Sequence, residues 1–146
     1  MFSNSHKKLR VWQHAIKLVV HVYATQRAFP KYELYALCDQ LRRAVVSIPS
    51  NIAEGNARQH ERERKQFFHV ALGSLAEVES LLEVACQLEY ITEEELSTLE
   101  LMCSDVGKML SGLAGVNFQS STINHRPSTI GTDSTIDHRP STIGAD

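Results

Sequence analysis

A chain of 146 residues is one domain's worth, long enough to bury a core of its own. Its 42% apolar content is ordinary for a water-soluble domain, and no run approaches the roughly eighteen apolar residues of a membrane span, so no membrane partner is expected. The formal charge of −2 excludes a uniformly basic or acidic protein but hides how the two signs are distributed.

The start, Met1-Phe2-Ser3-Asn4-Ser5-His6-Lys7-Lys8, has basic residues with no apolar segment after them, so a signal peptide is not expected. Cys38, Cys86 and Cys103 are odd in number and embedded in helical pattern. That fits small buried hydrophobes in a reducing cytoplasm.

The spacing predicts a first helix over roughly Lys8 to Arg27. Leu9, Trp12, Ile16, Val19, Val20 and Tyr23 make one apolar stripe; Val11, Ala15, Leu18 and Val22 make an adjoining one. Together they span an arc of about 200°, where a surface helix needs about 100°. One side suits a bundle core, and the second predicts a subunit interface. Phe29-Pro30 closes the first connection.

A second helix is predicted from near Tyr32 to near Gly55, with Leu34, Leu37, Leu41, Ala44, Val45, Ile48 and Ile52 inward. Pro49 lies inside it and should kink it, with Ser47, Ser50 and Asn51 at hand for the carbonyl it frees. Gly55 is the expected stop. Asn51 and Glu54 are the polar residues expected to be partly buried, as a hydrogen-bonded link across the kink or between helices.

A third helix is predicted from about Glu61 to Glu89, with Phe67, Ala71, Ser74, Leu75, Val78, Leu81, Leu82, Ala85 and Leu88 inward. Phe68, Val70, Leu72 and Val84 fall off that stripe and hint at a second buried face. Gly73-Ser74 in mid-helix predicts close approach of a neighbouring helix. Thr92-Glu93-Glu94-Glu95 has the pattern of a capping box. It opens a fourth helix, from about Glu93 to Leu113, with Leu96, Leu99, Met102, Cys103, Val106, Met109, Leu110 and Leu113 inward. Gly112 and Gly115 mark its fraying and exit.

Short connections make consecutive helices antiparallel neighbours, so residues 1–118 are expected to form an all-α, up-down four-helix bundle. Residues 119–146 are expected to be a disordered tail: Ser121 to Asp133 recurs as Ser134 to Asp146 with two of thirteen positions changed. Two copies are too few for a solenoid. The repeat looks like a tandem DNA duplication translated by accident; the rival reading is a recognised peptide.

Charge is laid out along the bundle. Residues 1–68 hold twelve Lys/Arg against five Asp/Glu, and residues 69–118 hold one against nine. One pole collects Lys7, Lys8, Arg10, Arg58, Arg62, Arg64, Lys65 and Lys108, diluted by Glu54, Glu61, Glu63 and Asp105. The other collects Glu79, Glu83, Glu89, Glu93, Glu94, Glu95 and Glu100, against Arg27 and Lys31. A basic pole repeated around a ring would attract a phosphate backbone. The bland alternative is surface pairing, for which Glu61, Glu63 and their neighbours are suited. Arg42 and Arg43 lie off the inner face as phosphate contacts or as partners for another subunit's acids.

Catalytic patterns are wanting: there is no phosphate-binding glycine loop, Cys-x-x-Cys or His-Glu-x-x-His. His14 and His21 are seven apart, too far for a usual metal pair on one helix. No cofactor, metal or catalytic residue is expected.

Phe29-Pro30, Glu33-Leu34, Gln40-Leu41-Arg42-Arg43-Ala44 and Ser47-Ile48-Pro49-Ser50-Asn51-Ile52-Ala53-Glu54-Gly55 together resemble the signature of the 23S rRNA intervening-sequence protein family, also called the four-helix bundle protein family. The likeness takes in Val11-Trp12, Phe67, Ala71, Gly73-Ser74 and Glu77, over roughly residues 8–116. It implies an antiparallel four-helix bundle assembled as a ring, a pentamer in known members, and association with nucleic acid. In the member that serves diversity-generating retroelements, the ring partners a reverse transcriptase and binds RNA. Departures are His60, where many members have serine, Arg64, where many have an aromatic, and Ala57, often glycine.

The expected function is a non-enzymatic homo-oligomer that binds RNA or other nucleic acid through Arg10, Arg58, Arg62, Arg64 and Lys65, with Arg42 and Arg43 as further candidates. The alternative is a scaffold or accessory subunit for a nucleic-acid enzyme such as a reverse transcriptase.

Overall fold

The structure is a computed structural model and describes residues 4–118. Four helices account for most of them: α1 (Arg10–Gln26), α2 (Leu37–Asn56), α3 (Glu61–Gln87) and α4 (Glu93–Ala114). Short 3₁₀ turns precede α1 (Ser5–Lys8) and α2 (Lys31–Glu33). The expected tail lies outside the described residues.

Helices adjacent in sequence pack side by side, α4 closes against α1, and the diagonal pairs do not approach. Three contacts fix the antiparallel order. Asn56 Nδ2 donates to Ser5 Oγ at 2.8 Å, so α2 ends where α1 begins. The Tyr90 hydroxyl donates to Glu33 at 3.0 Å, so α3 ends where α2 begins. Lys65 lies against Gly115, so α4 ends where α3 begins.

The core is aliphatic. Val11, Ala15, Leu18 and Val22 of α1 meet Leu41, Val45, Ile48 and Ile52 of α2 and their counterparts on α3 and α4. Each large side chain buried here contributes about 1.5–3 kcal/mol. Of the two stripes on α1, this one fills the core. The other is only partly covered: Leu9, Trp12 and Val19 pack half-buried against the core, Ile16 is half-buried, Tyr23 is exposed, and Val20 is 64% exposed.

α2 begins at Leu37 rather than near Tyr32, and Leu34, expected inside, is exposed. Side chains fix the late start. Glu33 Oε2 accepts the Leu37 amide at 3.2 Å, and Arg42 Nη2 donates to the Leu34 carbonyl at 3.0 Å. Together they hold residues 34–36 as an irregular turn. The helix then runs unbroken through Pro49. Ser50 Oγ donates to the Val46 carbonyl at 2.9 Å and Asn51 Nδ2 to that of Ser47 at 2.8 Å. These flank the Val45 carbonyl, which the missing proline amide leaves free.

Gly55 does not stop α2, which continues to Asn56; it is where α3 comes closest. A methyl group there would stand 2.9 Å from Phe68 Cε1, 3.0 Å from Phe67 Cβ and 3.1 Å from the Arg64 carbonyl. This approach rotates α3 so that Phe68, not Phe67, enters the core. Gly73 is open, with nothing within 4 Å of an added methyl. Its neighbour Ser74 makes the predicted close contact instead, hydroxyl to hydroxyl with Ser47 at 2.8 Å. Glu54 is exposed rather than partly buried and pairs with Arg58.

On α4 the capping box is formed: the Glu95 amide donates to Thr92 Oγ1 at 3.1 Å, and the Thr92 amide donates back to Glu95 at 2.8 Å. Small residues replace some expected core positions. Gly107 and Ser111 are buried, while Met102 and Met109 are half-buried and Leu113 is exposed. Cys38 and Cys103 are buried and Cys86 half-buried; burial, with Glu79 and Glu100 nearby, pushes the Cys103 thiol up to about 12.

Candidate nucleic-acid interface

The pole shared by the starts of α1 and α3 and the ends of α2 and α4 carries the basic side chains. The 3₁₀ turn bearing Lys7 and Lys8 is pinned there by the Asn56–Ser5 bond and by Gln13 Nε2 donating to the Lys7 carbonyl at 2.9 Å. Arg10 opens α1 close by. Arg58, just past α2, pairs with Glu54 at 3.2 Å while its guanidinium lies 4.9 Å from the centre of the Phe67 ring. One cation is thus held between a carboxylate and an aromatic face.

Arg62, Arg64 and Lys65 occupy the first turns of α3. Lys65 Nζ bonds Glu61 at 3.0 Å and reaches toward Gly115, whose φ of 71° ends α4. A cation suits the negative end of the α4 dipole. Arg62 and Arg64 make no ion pair among the described residues. Arg64 and Lys65 line a cleft of about 300 Å³ with Gln59, Glu61, Phe68 and Leu113. His60 precedes α3 without capping it, so its first-turn amides are open on this pole.

Arg42 and Arg43 sit elsewhere. They lie in the first third of α2, about 20 Å along the helix from its basic end. Arg42 holds the turn before α2, and Arg43 bonds Asp39 at 3.0 Å. Among the described residues the ion pairs are Arg43–Asp39, Arg58–Glu54 and Lys65–Glu61, each four residues apart on exposed surface. Such pairs contribute about 0.3–0.5 kcal/mol apiece, and none joins the two poles.

The opposite pole is acidic and aromatic. The Tyr90 hydroxyl lies 3.0 Å from that of Tyr32 and donates to Glu33; those bonds and burial hold the Tyr90 phenol well above its ordinary range. Tyr32 and Tyr35 are 76% and 90% exposed. Helical periodicity carries no signal for this tyrosine cluster, nor for the place of Gln59 and Phe68 beside the basic cleft. The Arg58–Phe67 spacing of nine gave no periodic signal for their contact.

Fold and site together define an up-down four-helix bundle with oppositely charged ends. The model of the 23S rRNA-intervening sequence protein family matches residues 7–112, and the chain belongs to that family. It is similar to a solved protein of unknown function from the S23 ribosomal protein family of Bacteroides thetaiotaomicron. The two are 22% identical with a TM-score of 0.66, over 71% of this chain and 97% of that one. No curated protein matches. Among the described residues, no helix is long and apolar enough to cross a membrane.

Proposed function

We propose that the protein is a non-enzymatic, cytoplasmic bundle whose copies assemble into a ring, a pentamer as in known members of its family, and bind RNA or other nucleic acid through the basic pole. The observation that carries this is the separation of sign: among the described residues Arg62 and Arg64 make no ion pair at one end, while acids gather at the other. Parallel copies in a ring would place these cations on one face, where their fields add. The family's name joins it to the 23S rRNA intervening sequence, which favours RNA as the ligand.

The test is a binding titration over a range of salt with RNA and DNA. Each phosphate contact adds about 0.7–0.9 to the slope of log affinity against log salt. Changing Arg62, Arg64 and Lys65 together to alanine is therefore expected to flatten the slope by about 2–3 for each subunit that meets the nucleic acid, while leaving the oligomer intact. Binding that ignores salt, or none at low salt, overturns the reading. The second reading is a scaffold for a partner such as a reverse transcriptase. The exposed Tyr32 and Tyr35 favour it, since tyrosine is enriched at protein interfaces.

A further inference from the structure

Two apolar stripes that the core covers only in part lie on either side of α2. On α1, the Trp12 ring meets His6 edge-on at 5.3 Å, and the turn that bears His6 is tied to α2 by the Asn56–Ser5 bond. The stripe of Trp12, Ile16, Val20 and Tyr23 therefore follows the α1/α2 seam. On α3, Phe67 lies under the Arg58 guanidinium, and Ser74 bonds Ser47 of α2. The opposite flank of α3 turns to α4, where the Glu79 carboxyl feels Glu100. From Phe67, the residues Val70, Ser74, Glu77, Leu81, Val84 and Leu88 follow at spacings of three and four along the α2/α3 seam. Val70, Val84 and Leu88 are exposed.

The two stripes match in level. α1 and α3 both start at the basic pole, so in parallel copies their distances from it compare directly. Val20 lies ten residues beyond Arg10, about 15 Å, and Val70 nine beyond Glu61, about 14 Å. Tyr23 stands at about 20 Å and Gly73 at about 18 Å. Nothing lies within 4 Å of a methyl added at Gly73, so a glycine that weakens its helix leaves a hollow that its own chain does not use. A neighbour's Tyr23 is at the height to fill it. Charge agrees as well. Arg27 closes one stripe at about 26 Å and Glu77 interrupts the other at about 24 Å. Both are exposed, and neither makes an ion pair among the described residues.

The directions of the two faces suit closure. Adjacent seams of a square bundle point about 90° apart. Identical copies joined head to tail through two different faces close into a ring when those faces stand about 90° apart for four members or about 108° for five. We infer that each copy packs the α1 stripe of Val20 and Tyr23 against the α3 stripe of Val70, Gly73 and Glu77 of the next, which turns the outer face of α2, with Arg43, Ser50 and Glu54, toward the ring's axis. This rests on the ring reading above and gives that ring its contacts. It also places Arg43 on the axis, away from the contact between copies and from the basic pole.

The test uses the full chain with Val20→Cys and Val70→Cys together, each single variant, and the natural chain as a blank for Cys86. α1 and α3 of one chain are diagonal and do not approach, so a disulfide between the two new thiols must join two chains. Under mild oxidation the double variant is expected to give a ladder of linked chains, at least about tenfold more than either single variant, because only there are the two thiols held side by side. Sedimentation of the same samples before oxidation gives the assembled mass. Linking by Val20→Cys alone means that α1 packs on α1 and overturns the inference. An assembled mass with no excess linking in the double variant overturns the choice of faces and leaves the ring standing. The mass of a single chain overturns both.

Discussion

Glu89 shows what a single residue gives up. It follows α3 with a φ of 63°, the left-handed conformation that a side chain disfavours by about 1–2 kcal/mol. The backbone holds it there. The Tyr90 amide donates to the Ala85 carbonyl at 2.9 Å and the Glu89 amide to that of Cys86 at 2.9 Å, the pair of bonds that closes a helix through a left-handed residue. A carboxylate also sits badly at the negative end of a helix. Glu89→Gly is therefore expected to stabilise the protein by about 1 kcal/mol or somewhat more. Urea unfolding should show a higher midpoint with unchanged slope. A lower midpoint would mean that the Glu89 side chain holds a contact outweighing its strain. Nothing in the residue types around Glu89 announces this; the signal for a left-handed stop is glycine, and the sequence offers none there.

At the scale of elements, helix count, order and type were legible because each helix carries a long apolar repeat and the connections are short. The core-facing phase within a helix was less legible. Both Phe67 and Phe68 are apolar, and periodicity alone cannot rank adjacent aromatics. Gly55 decides, by letting α2 close onto α3 at Phe68. The same ambiguity exchanged the roles of two glycines, and substitution separates them. Gly55→Ala places a methyl against Phe67 Cβ and the Arg64 carbonyl, neither of which can swing aside. Overpacking of this kind costs about 1–3 kcal/mol, more than the helix propensity alanine returns. Gly73→Ala meets nothing within 4 Å and is expected to gain about 1 kcal/mol in the isolated chain. Unfolding of the two variants side by side checks the opposite signs. The start of α2 was misplaced for another reason. Glu33 and Arg42 bond the backbone of residues 34–37, and an apolar repeat says nothing about such bonds.

For the whole molecule, the decisive quantity is apolar surface that one bundle cannot cover. The girth of α1 was legible as two adjoining stripes, and the fold buries one in the core and only partly covers the other, leaving Val20 and Tyr23 exposed. Its residues are not scattered singles: Leu9, Trp12, Ile16, Val20 and Tyr23 recur at three and four along one side. A continuous apolar stripe on a water-exposed helix is stabilised by association. The basic residues of the candidate interface were legible too, since charge counts need no register. What they contact was not, because pairing with Glu54 or Glu61 depends on side-chain geometry. The proposed ring and the proposed interface are linked: a single copy offers one small cationic end, whereas aligned copies would offer a face. Val20→Glu with Tyr23→Glu is therefore expected to reduce the sedimentation mass to that of one 16.4 kDa chain while keeping the helical circular dichroism. The same variant should bind RNA more weakly and with a shallower salt slope, because fewer phosphates meet cations at once. If the natural protein already sediments as a single chain at micromolar concentration, assembly fails as a reading, and with it the summed basic face.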